Sequence, residues 1–281
     1  MDPFVFAAVL VAAACHASWN ALLKIRLDPF ATTAIITVAC GVIALPLLPF
    51  VGIPPLVAWP WVLASVALHF AYYIGLTEAY RTGDMSQVYP IARGSAPLMT
   101  ALISTTVIGE RLSLVGWIGI LTLASGVVLL SARGGRDLTR IDRRAVGFAF
   151  FTAVTISGYS LTDGVGARIS GNPHSYVAWL LVCDSGCILL FALLRRGKSI
   201  VIDARSYWKT GLLGGALSVL SYWIVIWAMT IAPIAIVAAL RETSVLFGTL
   251  IAVVLLKESL TAVRVIAALM IVCGLALIRF Q

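Results

Sequence analysis

Charged and strongly polar residues are concentrated in short intervals between long apolar runs. The runs recur ten times, at 4–23, 31–51, 61–80, 88–108, 115–132, 145–165, 174–194, 211–231, 234–256 and 262–278. A helix rises 1.5 Å per residue, so about 20 apolar residues cross a hydrocarbon core about 30 Å thick. In hydrocarbon a backbone must satisfy its own hydrogen bonds, which leaves helices or closed barrels. Runs of this length predict an all-α integral membrane protein with ten transmembrane helices.

The runs are not independent. The stretch from Tyr89 to Leu112 repeats from Val237 to Leu260 at one offset of 148 residues. Arg93 falls on Arg241, Leu98 on Leu246, Ile103 on Ile251 and Glu110 on Glu258, and the same offset carries Gly126 onto Gly274. Self-similarity of this size points to a duplicated unit. The expected organisation is a first five-span repeat at 1–132, a polar linker at 133–144 and a second five-span repeat at 145–281, forming one structural unit. Five is odd, so the second repeat enters the membrane from the opposite face. Inverted repeats are a common secondary-transporter plan, with the substrate site near the midplane between them.

Composition agrees with the membrane reading. The chain is 61% hydrophobic and only 11% charged, against about a quarter charged in soluble domains. The net charge of +8 invites comparison with nucleic-acid binding, but its positive residues sit between spans, where topology accounts for them. Between the runs or at their ends, 15 Lys and Arg residues (Arg264, at the start of the tenth run, included) follow odd-numbered spans, while only Arg111, Arg168 and Arg279 lie on the other side. The positive-inside rule therefore places the 133–144 linker in the cytoplasm and both termini in the periplasm. The five cysteines all lie within apolar runs, with no His or carboxylate cluster around them to complete a metal site. There is no phosphate-binding loop signature and no clustered catalytic set, so neither cofactor nor enzymatic chemistry is expected.

The candidate chemistry lies in the few polar residues inside the runs. Arg93 and Arg241 are the two intramembrane arginines. They read either as snorkelling side chains near the interface or as one cation at each mouth of a pathway, each a station for an anionic group. Glu78 and Asp163 stand at matching depths, which predicts Glu78–Arg93 and Asp163–Arg241 closures at the inner and outer mouths. Asp184 is the deepest acid, a candidate for carrying a proton or else a satisfied structural group. Rings crowd the third and eighth spans. Trp19, Asn20, His69, Tyr72, Tyr73, Tyr89, Tyr159, Tyr222 and Trp223 are candidates to line a pocket for a flat or amphipathic solute. The competing reading is ring packing and interfacial belts. Glu110 and Glu258 read as structural, capping a following helix near Ser113 and Thr261.

These residues also carry a resemblance. The HASWNALLK end of the first span, Pro97-Leu98 followed by Gly109-Glu110-Arg111, and the Ala238-x-x-Arg241-Glu242-Thr243 and Leu256-Lys257-Glu258-Ser259 stretches resemble the EamA-type branch of the drug/metabolite transporter superfamily, over essentially the whole chain. The resemblance implies a ten-span basket around a central cavity formed mainly by spans one, three, four, six, eight and nine, with Trp19, His69 and Tyr72 among its lining. Members export amino acids and other metabolites, and the ring-rich spans here are similar to the aromatic amino acid exporters. The implied activity is alternating-access export of a small metabolite, an aromatic or neutral amino acid first, across a bacterial inner membrane. Import or export of another small organic solute, or flipping of a lipid headgroup, is the alternative. The expected partners are a small-molecule substrate and the lipid bilayer, with no nucleic acid, and a monomer.

Overall fold

A computed structural model of the chain describes residues 1–22, 29–82, 85–131, 143–256 and 261–280, with side chains described except at 29, 76–82, 85–91, 131, 143, 145, 255 and 256. Among the described residues there is no strand. The helices are α1 (Pro3–Leu22), α2 (Pro29–Ala44), α3 (Trp59–Thr82), α4 (Met85–Ile103), α5 (Leu114–Ser131), α6 (Arg143–Ser170), α7 (Pro173–Arg196), α8 (Trp208–Ile231), a broken ninth made of α9a (Ile234–Arg241) and α9b (Ser244–Leu256), and α10 (Ala262–Arg279).

Among the described residues, seven stretches are long and apolar enough to cross a membrane: Pro3–Leu22, Phe30–Val51, Leu56–Gly75, Pro173–Arg196, Trp208–Ile231, Ile234–Val254 and Ala262–Arg279. Leu114–Leu130 is a shorter apolar helix. The helices left out, α4 and α6, carry their polar groups on the inside. Arg93, Thr100, Thr152, Thr155, Ser157, Ser160 and Asp163 are all buried. The outer surface is apolar, with Phe4, Leu63, Val107, Leu114, Leu194 and Leu250 exposed. Polar residues inside and large apolar residues outside are the arrangement lipid requires.

The inverted relation of the halves can be read from helix contacts. Equivalent helices α5 and α10 pack against each other, as do α2 and α7. On α5, Gly119 faces Ile278 and Gly274, whereas Gly126 faces Ile271 and Ala267, so numbers rise along one helix as they fall along the other. In the second pair, Gly41 meets Ser185 and Leu181, and Asn172 reaches the carbonyl of Val51. Both equivalent pairs are antiparallel, which places the second half upside down relative to the first. The cross-contacts agree: α3 packs on α6 as its counterpart α8 packs on α1, and α4 packs on α6 as the ninth helix packs on α1. Small residues allow the close approaches. Gly211 lies against Ile35 and Gly215 against Ala39, where α8 crosses α2.

The turn between α6 and α7 shows the local logic. Gly171 takes φ +66, a left-handed conformation that glycine adopts without strain. The side chain of Asn172 then accepts from the backbone N–H of His174 at 3.0 Å and of Ser175 at 3.4 Å, capping α7.

The sequence predicts one continuous span at 234–256. The structure breaks it at Glu242 and Thr243. The N–H of Glu242 bonds to Ala239 O, that of Thr243 to Leu240 O and that of Val245 to Glu242 O, so the helix tightens into i to i−3 bonding. A mid-helix tightening of this kind commonly marks a functional hinge. Here it leaves Arg241, Glu242 and Thr243 fully inside the bundle.

Candidate functional site

The broken helix places two charges side by side in the core, and a third arrives from the other repeat. Arg93 of α4 extends its Nη1 to both oxygens of Glu242, at 3.3 Å each. Arg241 Nη2 lies 3.8 Å from Glu242 Oε1. Arg93 Nη2 also sits 3.1 Å from His16 Nε2 on α1. A guanidinium only donates, so that ring nitrogen accepts. Arg93, Arg241 and Glu242 are 7%, 4% and 1% exposed, so all three are out of water.

This corrects the expectation of one cation at each mouth. α4 begins at Met85, so Arg93 stands about eight residues in, ~12 Å along the axis. Arg241 stands about seven residues in from Ile234. With a hydrocarbon core about 30 Å thick, both long side chains reach the middle from antiparallel helices and share one carboxylate. Among the described residues, both guanidinium groups face this one carboxylate. Arg241 Nε has no acceptor among the described residues.

Beside the ion cluster runs a wall of rings. Arg241 Nη2 donates to the Tyr159 hydroxyl at 3.2 Å, with its guanidinium carbon 5.5 Å from the centre of that ring. His69 stacks on Tyr159 at 4.3 Å, and Tyr72 meets Tyr159 edge-on at 5.9 Å. Tyr73 packs near Tyr72, and its hydroxyl lies 3.1 Å from Thr37 Oγ1. Trp19 stands edge-on to His16 at 5.1 Å, and its indole N–H has no acceptor among the described residues. Next to His69, the hydroxyl of Tyr222 lies 3.1 Å from His69 Nε2 and also bonds to Asp163 Oδ2. Asp163 Oδ1 accepts from Tyr176 at 3.0 Å.

The predicted Asp163–Arg241 closure is therefore not made. The carboxylate is turned into the second repeat toward tyrosine hydroxyls, while Arg241 has its own sequence neighbour as counter-ion. The Glu78–Arg93 pairing and the role of Tyr89 lie outside the described residues. Asn20 donates its amide to the His16 carbonyl of its own helix at 2.8 Å. Trp223 is carried away from the centre: its indole donates to His174 Nδ1, at 2.8 Å, near the start of α7.

A hollow of about 70 Å³ adjoins the ring wall, lined by Thr37, His69, Tyr73, Asp184, Ser218 and Tyr222 among others. Asp184 faces it with Oδ1 unpartnered among the described residues. The alternative partner Ser185 donates instead to Val38 O, at 3.3 Å.

Glu242, His16 and Tyr176 are the central residues that the repeat comparison passes over. The first carried a signal: Arg241-Glu242 is an adjacent opposite-charge pair inside an apolar run, a costly placement without use.

At one end of the bundle Glu110 makes a clasp between the repeats. Its Oε1 accepts from Arg168 Nη2 at 2.7 Å and from the N–H of Ile234 at 2.9 Å. Oε2 accepts from the N–H of Ala235 at 3.4 Å and from Ser104. Arg168 continues to the carbonyls of Met229 and Ala232. The glutamate thus caps α9a, not the following helix, where Ser113 itself accepts from Gly116 N–H. A carboxylate at a helix N-terminus is favourable because it meets orphan N–H groups and the positive end of the dipole. Thr261, the other expected cap, makes no side-chain bond to α10. Replacing Glu110 by alanine is expected to cost about 1.5–3 kcal/mol, the range for hydrogen bonds to a charged group. Thermal unfolding in detergent reads this directly, and an unchanged midpoint would refute the capping role.

The chain matches the profile described as the EamA-like transporter family over two ranges, residues 4–132 and 143–280. No curated protein sequence matches it. A solved structure titled "Crystal structure of protein" has the same fold, with a TM-score of 0.75 at 18% identity, covering 98% of this chain and 94% of that one.

Proposed function

The chain belongs to the EamA-like transporter family, a family of small-molecule transporters of the drug/metabolite superfamily, and on that premise we propose that it exports a small zwitterionic metabolite. An aromatic or neutral amino acid is the first candidate, moved across the inner membrane by alternating access, with both termini periplasmic. The observation that carries this reading is the buried Arg93–Glu242–Arg241 cluster next to the Tyr159 ring, in which Arg241 Nε has no acceptor among the described residues. A substrate carboxylate meets Arg241 Nε and the Trp19 indole, both without acceptors among the described residues. A ring or apolar side chain on the same substrate meets Tyr159 and Tyr72. Charged donors in a dry site bind carboxylates well because water does not compete for them. In this orientation the Glu110–Arg168 clasp closes the periplasmic side.

The test is transport by purified protein in liposomes loaded with labelled amino acids. Labelled phenylalanine is expected to cross, and Arg241→Gln is expected to slow it by about tenfold or more, matching the loss of one charged hydrogen bond. Cells carrying the protein are expected to resist toxic amino acid analogues. Failure of every labelled amino acid to cross would end the amino acid reading.

A further inference from the structure

We propose that Asp163, Tyr222 and His69 together hold one exchangeable proton, and that releasing it loosens a tie between the two repeats. The first part follows from a count of hydrogens. His69 Nδ1 lies 2.9 Å from the backbone carbonyl oxygen of Ser65 and 3.2 Å from the hydroxyl of the same residue. A carbonyl only accepts, so Nδ1 carries a hydrogen, and in the neutral ring Nε2 is then an acceptor. The Tyr222 hydroxyl has a single hydrogen. It stands in hydrogen-bond contact with two acceptors, His69 Nε2 at 3.1 Å and Asp163 Oδ2. It can serve one of them. The other contact needs one more hydrogen, carried either by Nε2 as imidazolium or by the Asp163 carboxyl.

No neighbour among the described residues supplies it to Tyr222: the Ser65 hydroxyl stands against His69 Nδ1 and the Asp163 carboxylate instead. The Tyr176 hydroxyl already spends its hydrogen on Asp163 Oδ1. The Tyr159 hydroxyl accepts from Arg241 on the far side of the stacked ring. Without the extra proton, one of the two Tyr222 contacts sets lone pair against lone pair beside a carboxylate that is 1% exposed. The observed packing is that of the loaded cluster.

The surrounding charges fall on both sides of the balance. Arg241 on α9a is the cation nearest this wall and reaches it only through Tyr159. Asp184 on α7 shares a hollow with His69 and Tyr222. Tyr73 on α3 and Cys40 on α2 complete the titratable groups around that hollow.

The cluster joins α3 of the first repeat to α6 and α8 of the second. A rocking motion of the repeats has to open that contact. Loss of the proton converts a hydrogen bond into a repulsion there, so proton occupancy and repeat position are linked. This linkage to transport rests on the carrier reading above; the proton count does not.

The experiment uses the full-length protein in lipid nanodiscs with ¹⁵N-labelled histidine, scanned from about pH 5 to about pH 9, the range in which imidazoles titrate. Of the three histidines, the His69 signal is assigned by its loss in His69→Gln. Infrared spectra of the same samples follow the carboxylic C=O band, assigned by its loss in Asp163→Asn. The expected result is that His69 keeps hydrogen on Nδ1 throughout, and that lowering the pH brings in one further proton, seen as imidazolium or as the carboxylic band. Asp163→Asn provides a permanent N–H toward Tyr222, so this variant is expected to fold and to lose the titration. Tyr222→Phe is expected to shift the midpoint by about one pH unit or more, a tenfold change in proton affinity. Signals that stay constant over the whole range, or a His69 lacking hydrogen on Nδ1, overturn the proton site.

A second arm measures phenylalanine movement in liposomes under an imposed pH gradient. A response that is present in wild type and flat in Asp163→Asn supports the linkage. An equal response in both overturns it and leaves the carrier standing. If no labelled amino acid moves at all, the amino acid reading and the linkage fall together, and the spectra alone decide the proton site.

Discussion

Replacing Glu242 by alanine is expected to destabilise the bundle by about 3–5 kcal/mol, the cost of breaking a buried ion cluster from one side. The carboxylate is 1% exposed and is the counter-ion of two guanidinium groups, at 3.3 Å from Arg93 and 3.8 Å from Arg241. Alanine takes away the carboxylate that both cations share in a dry interior, where a charge costs far more than at a surface. The variant is therefore expected to unfold at markedly lower temperature in detergent. Adding Arg93→Met to Glu242→Ala removes one of the two cations and is expected to recover part of the loss, because an apolar side chain of similar volume carries no desolvation penalty. If Glu242→Ala melts with wild type, the carboxylate is not balancing the arginines, and the charge argument for an anionic substrate fails with it.

Gly274→Val is the second large effect, and its cause is steric. A Cβ at Gly274 would lie 2.7 Å from Leu123 N and 2.8 Å from Gly119 O, both backbone atoms of α5. Backbone cannot swing aside as a flexible side chain can, so α5 and α10 must separate. The expected loss is on the order of 3 kcal/mol, the upper end for overpacking. Gly248→Ala is the matched control: nothing lies within 4 Å of its Cβ position, and it is expected to stay within about 1 kcal/mol of wild type. Size-exclusion profiles and thermal melts of the two variants decide the matter. A well-folded Gly274→Val protein would mean the antiparallel α5–α10 seam is not as close as described.

The seam matters because it is where the repeat becomes geometry. Gly126 and Gly274 correspond at the 148-residue offset, and each sits where its helix crosses the counterpart from the other half. The offset was legible in the sequence, as was the membrane character of the chain. Of the site, the sequence singled out Arg93, Arg241, Asp163, His69, Tyr72, Tyr159 and Tyr222 by a sound rule: polar groups do not enter hydrocarbon without a reason. It misplaced the partners of Asp163 and Arg241. Asp163 and Arg241 share a depth along their helices, but depth leaves the direction around each helix axis open. That direction sent Asp163 to Tyr176 and Tyr222. His16 was passed over because it lies in an otherwise apolar first span, and only the packing of α1 brings it within 3.1 Å of Arg93.

Apolar run length, the repeat offset and the bias of Lys and Arg between spans are local or one-dimensional quantities, so the chain by itself determined an all-helical membrane protein of two related halves. Where α9 breaks, which carboxylate serves two arginines and how three side chains come to need one proton depend on rotations and crossings of helices far apart in sequence. Those were decided only by tertiary packing, since contact between side chains depends on azimuth and helix spacing, and neither is written in the order of the residues.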